Sequence, residues 1–167
     1  SIYYRYLTKN PVCYIRISWG CRGNCSYCTV KNATGSLISK PFDQCIKEFK
    51  KGLQKGFKDF VILADDVGAY GLDIGKTFPE LLDSITRFSG EYKISIRDLN
   101  PRWVIKYIDE LEEILGRGKI ISLDVPIQSG SSRILKLMHR YNNVNVMKET
   151  FSRLKKACLD LSLNTHI

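Results

Sequence analysis

Three cysteines lie within nine residues, Gly20-Cys21-Arg22-Gly23-Asn24-Cys25-Ser26-Tyr27-Cys28, and no other stretch of the chain concentrates so much potential chemistry. The spacing is C-x3-C-x2-C, directly after an apolar, β-branched run. Three thiolates this close can hold three corners of a cuboidal iron–sulfur cluster. Closed clusters use four cysteines. A set of three leaves one iron open to a small molecule, as catalytic metal sites keep a position that structural sites fill. The competing reading is a zinc knuckle. Zinc favours C-x2-C pairs and four ligands, whereas Cys25 and Cys28 form the chain's sole C-x2-C pair.

The elements that must position this loop alternate along the chain. Val12 to Trp19 reads as a strand buried on both faces, with Arg16 and Ser18 its polar residues. A helix is predicted over Pro41 to Gly52, with Pro41 in the first turn, Ser39 upstream as a candidate cap and Gly56 ending the unit. Phe60-Val61-Ile62-Leu63 marks a second strand within Asp59 to Ala64. A helix then runs from Thr77 to Phe88 and Gly90 closes it. Tyr92 to Ile96 is a third strand. Asn100-Pro101 opens a helix to Leu115, cap followed by first-turn proline. Lys119 to Val125 is a fourth strand. Helices follow at Ser132 to His139 and from Val144 to about Leu161. Leu161 to Ile167 opens a fifth strand.

Repeated βα units with short connections imply a parallel sheet with right-handed crossovers. An eight-fold barrel needs about 250 residues. The expectation is therefore an α/β fold, a partial and open (β/α) barrel of about four and a half units. Chemistry in such folds gathers at the C-terminal strand ends. There lie the cysteine loop, Asp65-Asp66-Val67-Gly68, Arg97-Asp98-Leu99-Asn100 and Asp124-Val125-Pro126-Ile127-Gln128-Ser129-Gly130-Ser131. A buried ion pair or cap is an equal reading for Arg97 and Asp124, and a surface loop or cap for Asp66, Ser131 and Arg133. Gly20 and Gly23 are expected to supply positive φ so the loop can wrap closely.

Composition bounds the rest. The chain has 167 residues, is 44% hydrophobic and carries a net charge of +9. One domain is expected, with no apolar run long enough for a membrane. Ser1 to Arg5 lacks the shape of a signal peptide, so a reduced, cytoplasmic setting is expected. Cys13, Cys45 and Cys158 lie far apart in apolar patterns and read as core. The basic clusters at Lys47 to Lys58 and Arg153 to Lys156 read as solvated helix faces, with RNA as the functional alternative.

The triplet, with an aromatic before its last cysteine, resembles the radical S-adenosylmethionine superfamily. The resemblance implies a [4Fe-4S] cluster on Cys21, Cys25 and Cys28. S-adenosylmethionine would bind the open iron and be cleaved reductively to a 5′-deoxyadenosyl radical. It places Tyr27 against the adenine and puts Asp65 and Asp66 where a Gly-Gly-Glu-like motif receives the methionine amino group. Gln128 would meet the ribose hydroxyls. The helix start at Ser129-Gly130-Ser131 would meet the carboxylate, which Arg133 or Arg140 would pair.

Within the superfamily, Cys-Ser-Tyr-Cys-Thr-Val, the D-x-x-x-Y-G-x-D segment from Asp66 to Asp73, and the block Pro126 to Ser131 continued to Arg140-Tyr141 resemble the methylthiotransferases. These insert methylthio groups into transfer RNA bases or a ribosomal protein. Two positions depart from the pattern. Leu63-Ala64-Asp65 stands where Thr-Gly-Gln is usual. Asp124 stands where RNA-modifying members tend to have His, which is more like the ribosomal-protein branch, whereas Gln128-Ser129-Gly130-Ser131 is more like the RNA branch, so the sequence straddles the two. The resemblance implies that residues 1–167 are one incomplete core domain, without the second-cluster domain or the substrate-binding β-barrel, and unable alone to complete sulfur insertion. It also implies an external electron donor of flavodoxin or ferredoxin type. The rival readings are a radical enzyme acting on a peptide or small molecule, and a zinc-stabilised basic RNA-binding module.

Overall fold

The computed structural model describes residues 11–167; the segment Ser1 to Arg5, read above for leader character, lies outside them. Five strands form one parallel sheet in chain order: β1 (Val12–Arg16), β4 (Asp59–Leu63), β5 (Lys93–Ile96), β6 (Ile120–Asp124) and β7 (Ser162–Asn164). Each strand pairs with the next, from Val12↔Asp59 through Asp124↔Asn164. Neighbours in space that are also successive in sequence are what helix crossovers of one hand produce. The result is the expected open, partial barrel, with helices against its outer face.

Strand one departs from expectation in two ways. It lies at the edge of the sheet, so Tyr14 is exposed instead of buried on both faces. It also ends at Arg16, where Ile17 switches partners. Its N–H still donates to Leu63 O (3.1 Å), but its carbonyl accepts from Lys40 N (2.8 Å). The chain then turns into a separate two-residue ribbon, β2 (Ser18–Trp19), antiparallel to β3 (Ile38–Ser39). The cysteine loop and a short helix, α1 (Val30–Thr34), are strung between these two strands.

Ser39, expected to cap the next helix, sits in β3 instead. There its hydroxyl accepts from Gly71 N (2.9 Å) and its N–H donates to Asp73 Oδ2 (2.8 Å). Helix α2 (Phe42–Gln54) starts from Pro41 with no side-chain cap. Helix α3 (Phe78–Thr86) starts from Thr77, whose hydroxyl accepts from Glu80 N while Glu80 accepts from Thr77 N, a reciprocal capping box.

The helix expected from Asn100 to Leu115 is two helices, α4 (Pro101–Lys106) and α5 (Ile108–Leu115), broken at Tyr107. Both pack on α7 (Val144–Ala157); α4 also lies against the turn Val67–Ala69, and α5 also packs on α3. The short helix α6 (Ser132–Leu137) follows β6. No helix among the described residues is long and apolar enough to cross a membrane.

The core fills the space between sheet and helices. Phe49 of α2 is fully buried, 4.5 Å from the Phe60 ring and 5.2 Å from Tyr92 between centroids. Cys45 is buried, and Cys13 and Cys158 pack against the same cluster, as small apolar side chains do. Phe49→Ala is expected to cost about 3–5 kcal/mol, the transfer loss plus an unfilled cavity. Urea denaturation of the chain measures it.

Candidate active site

Each strand end contributes to one mouth. Asp65, just past β4, accepts from Gly20 N at 2.9 Å and from Arg16 Nη1 at 3.3 Å, fixing the first turn of the cysteine loop. Gly20 has φ +75°, and a Cβ there would stand 2.1 Å from Ser36 O. This position demands glycine both for its left-handed backbone and for the close approach of the returning chain. Gly20→Ala is expected to destabilise the chain by about 1–3 kcal/mol from backbone strain alone, with the backbone clash adding to it. A lowered urea midpoint checks this.

Gly23 plays a different part from the expected one, since its φ is not positive. A Cβ on Gly23 would lie 3.1 Å from Cys21 Sγ and 3.8 Å from Cys25 Sγ. Glycine here opens a cradle that two of the three thiols border. Gly23 N also donates to Cys21 Sγ (3.1 Å). Amide N–H groups aimed at sulfur suit a thiolate ligand. The open space over Gly23 beside two thiols, and the amide N–H on Cys21 Sγ, fit three thiolates holding a cluster. Nothing in the arrangement supports the zinc-stabilised module.

Asp66 is almost wholly buried at 3% exposure. Its carboxylate accepts from Trp103 Nε1 (2.8 Å) and Arg102 Nη2 (2.7 Å), and Cys21 Sγ lies 3.6 Å away. Burial first, and the Asp66 charge second, push the Cys21 thiol up to about 11. Ligation must therefore displace that proton, as metal binding to thiols generally does.

The segment from Asp66 to Asp73 is a frame. Tyr70 is fully buried and its hydroxyl donates to Lys40 O at 3.0 Å, while Gly71 and Asp73 hold Ser39. These bonds fix the strand on which the cysteine loop returns.

The cysteine loop is gripped from the far side by the end of α6. Ser26 N donates to Met138 O (3.1 Å) and Ser26 Oγ to Leu137 O (2.9 Å). His139 Nδ1 lies 3.2 Å from Asn24 O. Arg140 reaches Cys25 Sγ at 3.6 Å, the Tyr27 hydroxyl at 3.3 Å and the Pro126 carbonyl. Tyr27 stays half exposed, and Cys28 is exposed with its N–H on Cys25 O (3.1 Å).

Of the other strand-end residues, Arg97 and Asp124 form an ion pair, and Asn164 Nδ2 donates to Asp124 Oδ1 at 2.9 Å. Gln128 has φ +73° and donates its N–H to His166 O (2.9 Å); Ser129 Oγ accepts from Ser131 N (3.1 Å). Asp98, Gln128 and His139 are the non-glycine residues with positive φ among the described ones, and all three lie at this mouth. Strained backbone of this kind gathers at functional sites. The structure brings Cys21 to Asp66, and Cys25 and Tyr27 to Arg140, while Asp65 holds Gly20 at the start of the same loop and Cys28 is tied to it through Cys25 O. Gln128 and Ser129 stand on the adjoining loop, with no bond to the cysteines. Arg102, Trp103, Ser26 and the carbonyls of Leu137 and Met138 are parts of the site that sequence reasoning missed. Carbonyls carry no residue code, and Trp103 reads as ordinary core.

The pattern of the Radical SAM superfamily matches residues 15–167. The chain belongs to that superfamily. Its fold agrees: a radical S-adenosylmethionine methyltransferase, TsrM, from Kitasatospora setae, solved with cobalamin and a [4Fe-4S] cluster, superposes with TM-score 0.69 at 16% identity. The match covers 98% of this radical SAM chain and 31% of that one. The cobalamin-dependent radical enzyme OxsB gives 0.73 at 12% identity over 94% of this chain and 24% of its own.

Nearer in sequence are methylthiotransferases. A probable threonylcarbamoyladenosine tRNA methylthiotransferase of Archaeoglobus fulgidus is 33% identical over 163 residues, 96% of this chain and 38% of the relative. That of Pyrococcus abyssi is 36% identical over 154 residues, 92% of this chain and 36% of its own. The ribosomal protein uS12 methylthiotransferase RimO of Syntrophomonas wolfei is 33% identical over 168 residues, 98% and 38%. The chain thus spans less than two-fifths of the length of these relatives.

Proposed function

We propose that this chain is the catalytic core of a radical S-adenosylmethionine methylthiotransferase, working in the cytoplasm on transfer RNA. The observation that carries the radical chemistry is the cradle over Gly23, bordered by the Cys21 and Cys25 thiols and anchored to the ends of β4 and β6. Cys21, Cys25 and Cys28 would hold a [4Fe-4S] cluster, Tyr27 would flank the adenine, and Gln128 and Ser129 would face the ribose and carboxylate. When bound, the cluster supplies one electron, drawn from a flavodoxin- or ferredoxin-type donor, to cleave S-adenosylmethionine. The protein's own groups orient and shield. Asp65 fixes the loop's first turn, and Asp66 braces Cys21 against α4. A carboxylate offers about four acceptor sites, so Asp66 retains capacity for an ammonium beyond its Trp103, Arg102 and Cys21 partners.

Transfer RNA is supported by the names of the archaeal relatives and by the chain's excess of basic residues, since a cationic surface draws polyanions. Ribosomal protein uS12 is the second reading, supported by the uS12 relative and by Asp124, which by the resemblance stands where RNA-modifying members tend to have His. The test is anaerobic reconstitution of the chain followed by dithionite and S-adenosylmethionine. Formation of 5′-deoxyadenosine and methionine in equal amounts is expected. An iron-loaded protein that leaves S-adenosylmethionine intact would overturn the proposal. Transfer RNA and uS12 offered to the whole protein that contains this core separate the two substrates.

A further inference from the structure

Arg140 is placed to do something other than pair a carboxylate. The chain leaves α6 through His139, at φ +54°, a left-handed turn that aims the next side chain back over the mouth. Arg140 N is itself fixed on Leu135 O (2.9 Å). One arm of the guanidinium, Nη1, lies 3.6 Å from Cys25 Sγ and 3.3 Å from the Tyr27 hydroxyl; the other arm, Nη2, is on the Pro126 carbonyl. Both arms are committed, one to the cysteine loop and one to the chain leaving β6. The side chain is only half-buried, yet its head ties the chain leaving β6 to Cys25, which lies 115 residues from Arg140 in sequence. A guanidinium suits this because its planar fork can engage two acceptors at once, which a lysine ammonium on one flexible stem does less well.

We propose that Arg140 is a positioning residue that fixes Cys25 for cluster binding and, by donating to its sulfur, raises the reduction potential of the cluster held there. This rests on the cluster reading given above. Hydrogen bonds to ligand sulfurs are among the terms that set iron–sulfur potentials. A charged donor favours the more negative member of the redox couple. The one-electron reduced cluster carries one more negative charge than the oxidised one, so the Nη1–H donor stabilises it preferentially. The anchor on Pro126 matters because it spares the guanidinium the entropy of finding Cys25 anew. It also joins the loop carrying Gln128 and Ser129 to the cysteine loop through a single side chain.

The experiment is a reductive titration of the anaerobically reconstituted chain with dithionite and redox mediators, following the paramagnetic signal of the one-electron reduced cluster. Arg140→Gln and Arg140→Lys are compared with the unaltered chain. Iron content is measured alongside, as is S-adenosylmethionine affinity. The midpoint of Arg140→Gln is expected to fall below that of the unaltered chain, with Arg140→Lys between the two. If Arg140→Gln retains no iron, Arg140→Lys alone decides, and its midpoint must still lie below the unaltered value. Equal midpoints would overturn the proposal. So would weakened S-adenosylmethionine binding at an unchanged midpoint, which would return Arg140 to the carboxylate. An unaltered chain that binds no iron would instead refute the cluster reading itself.

Discussion

Cys25→Ala is expected to abolish cluster retention: after anaerobic reconstitution and desalting, the protein should be colourless and yield no 5′-deoxyadenosine. Three thiolates are the minimum that leaves one iron open, and loss of one leaves two irons without protein ligands. The fold should survive, because Cys25 is only partly buried and lies outside the core cluster. Circular dichroism and the urea midpoint should therefore stay near those of the unaltered chain. That combination separates a ligand from a structural cysteine. Cys45→Ala is the contrasting control: it removes a fully buried side chain and should lower the midpoint while leaving iron content intact. A Cys25→Ala protein that still held its full iron complement would remove Cys25 from the ligand set.

The second large effect belongs to Asp66. Asp66→Ala leaves the Trp103 N–H buried without its acceptor and the Arg102 guanidinium, about one-third exposed, without its partner. Orphaned donors of this kind cost about 1–3 kcal/mol each, more when charged. Partial exposure of Arg102 tempers its share, so a total of about 2–3 kcal/mol is expected from urea denaturation of the cluster-free chain. Asp66→Asn keeps one acceptor oxygen and should lose less. Gly68 makes the same region unforgiving. A Cβ there would stand 2.4 Å from Trp103 Cβ, so only glycine lets Trp103 pack this close to the turn. An unchanged midpoint for Asp66→Ala would show that this bracket does not hold α4 to the mouth.

What the sequence announced and what it hid divide along physical lines. Among the central strands, β4 carries the unbroken apolar run Phe60–Leu63, while β5 and β6 are isoleucine-rich with Ser95 and Ser122 between apolar residues; their order follows from short crossovers, so the half-barrel was readable. The capping box at Thr77 and the cap-proline pair at Asn100-Pro101 mark helix starts because local side-chain bonds decide them. The break at Tyr107 was not readable. No Gly or Pro interrupts the apolar period there; both halves pack on α7, and only their further contacts differ, the Val67–Ala69 turn for α4 and α3 for α5. The ribbon pairing Ser18–Trp19 with Ile38–Ser39 is two residues long, too short for any pattern to mark.

The candidate site shows the same split. The three thiols are legible because their spacing is local. Their support is not. Ser26 is held by the carbonyls of Leu137 and Met138 more than a hundred residues away, and main-chain acceptors leave no trace in side-chain types. Asp66 announced a carboxylate at a strand end, but its donors on α4 emerge only once α4 is packed beside the turn. Gly23 was expected to bend the chain; it serves by having no Cβ beside two sulfurs, a demand visible only in three dimensions.

The most direct test is the iron and acid-labile sulfide content of the unaltered chain, prepared and reconstituted without oxygen. About four irons and four sulfides per chain are predicted, matching one cube on Cys21, Cys25 and Cys28. A single tightly held zinc with no labile sulfide would contradict the account.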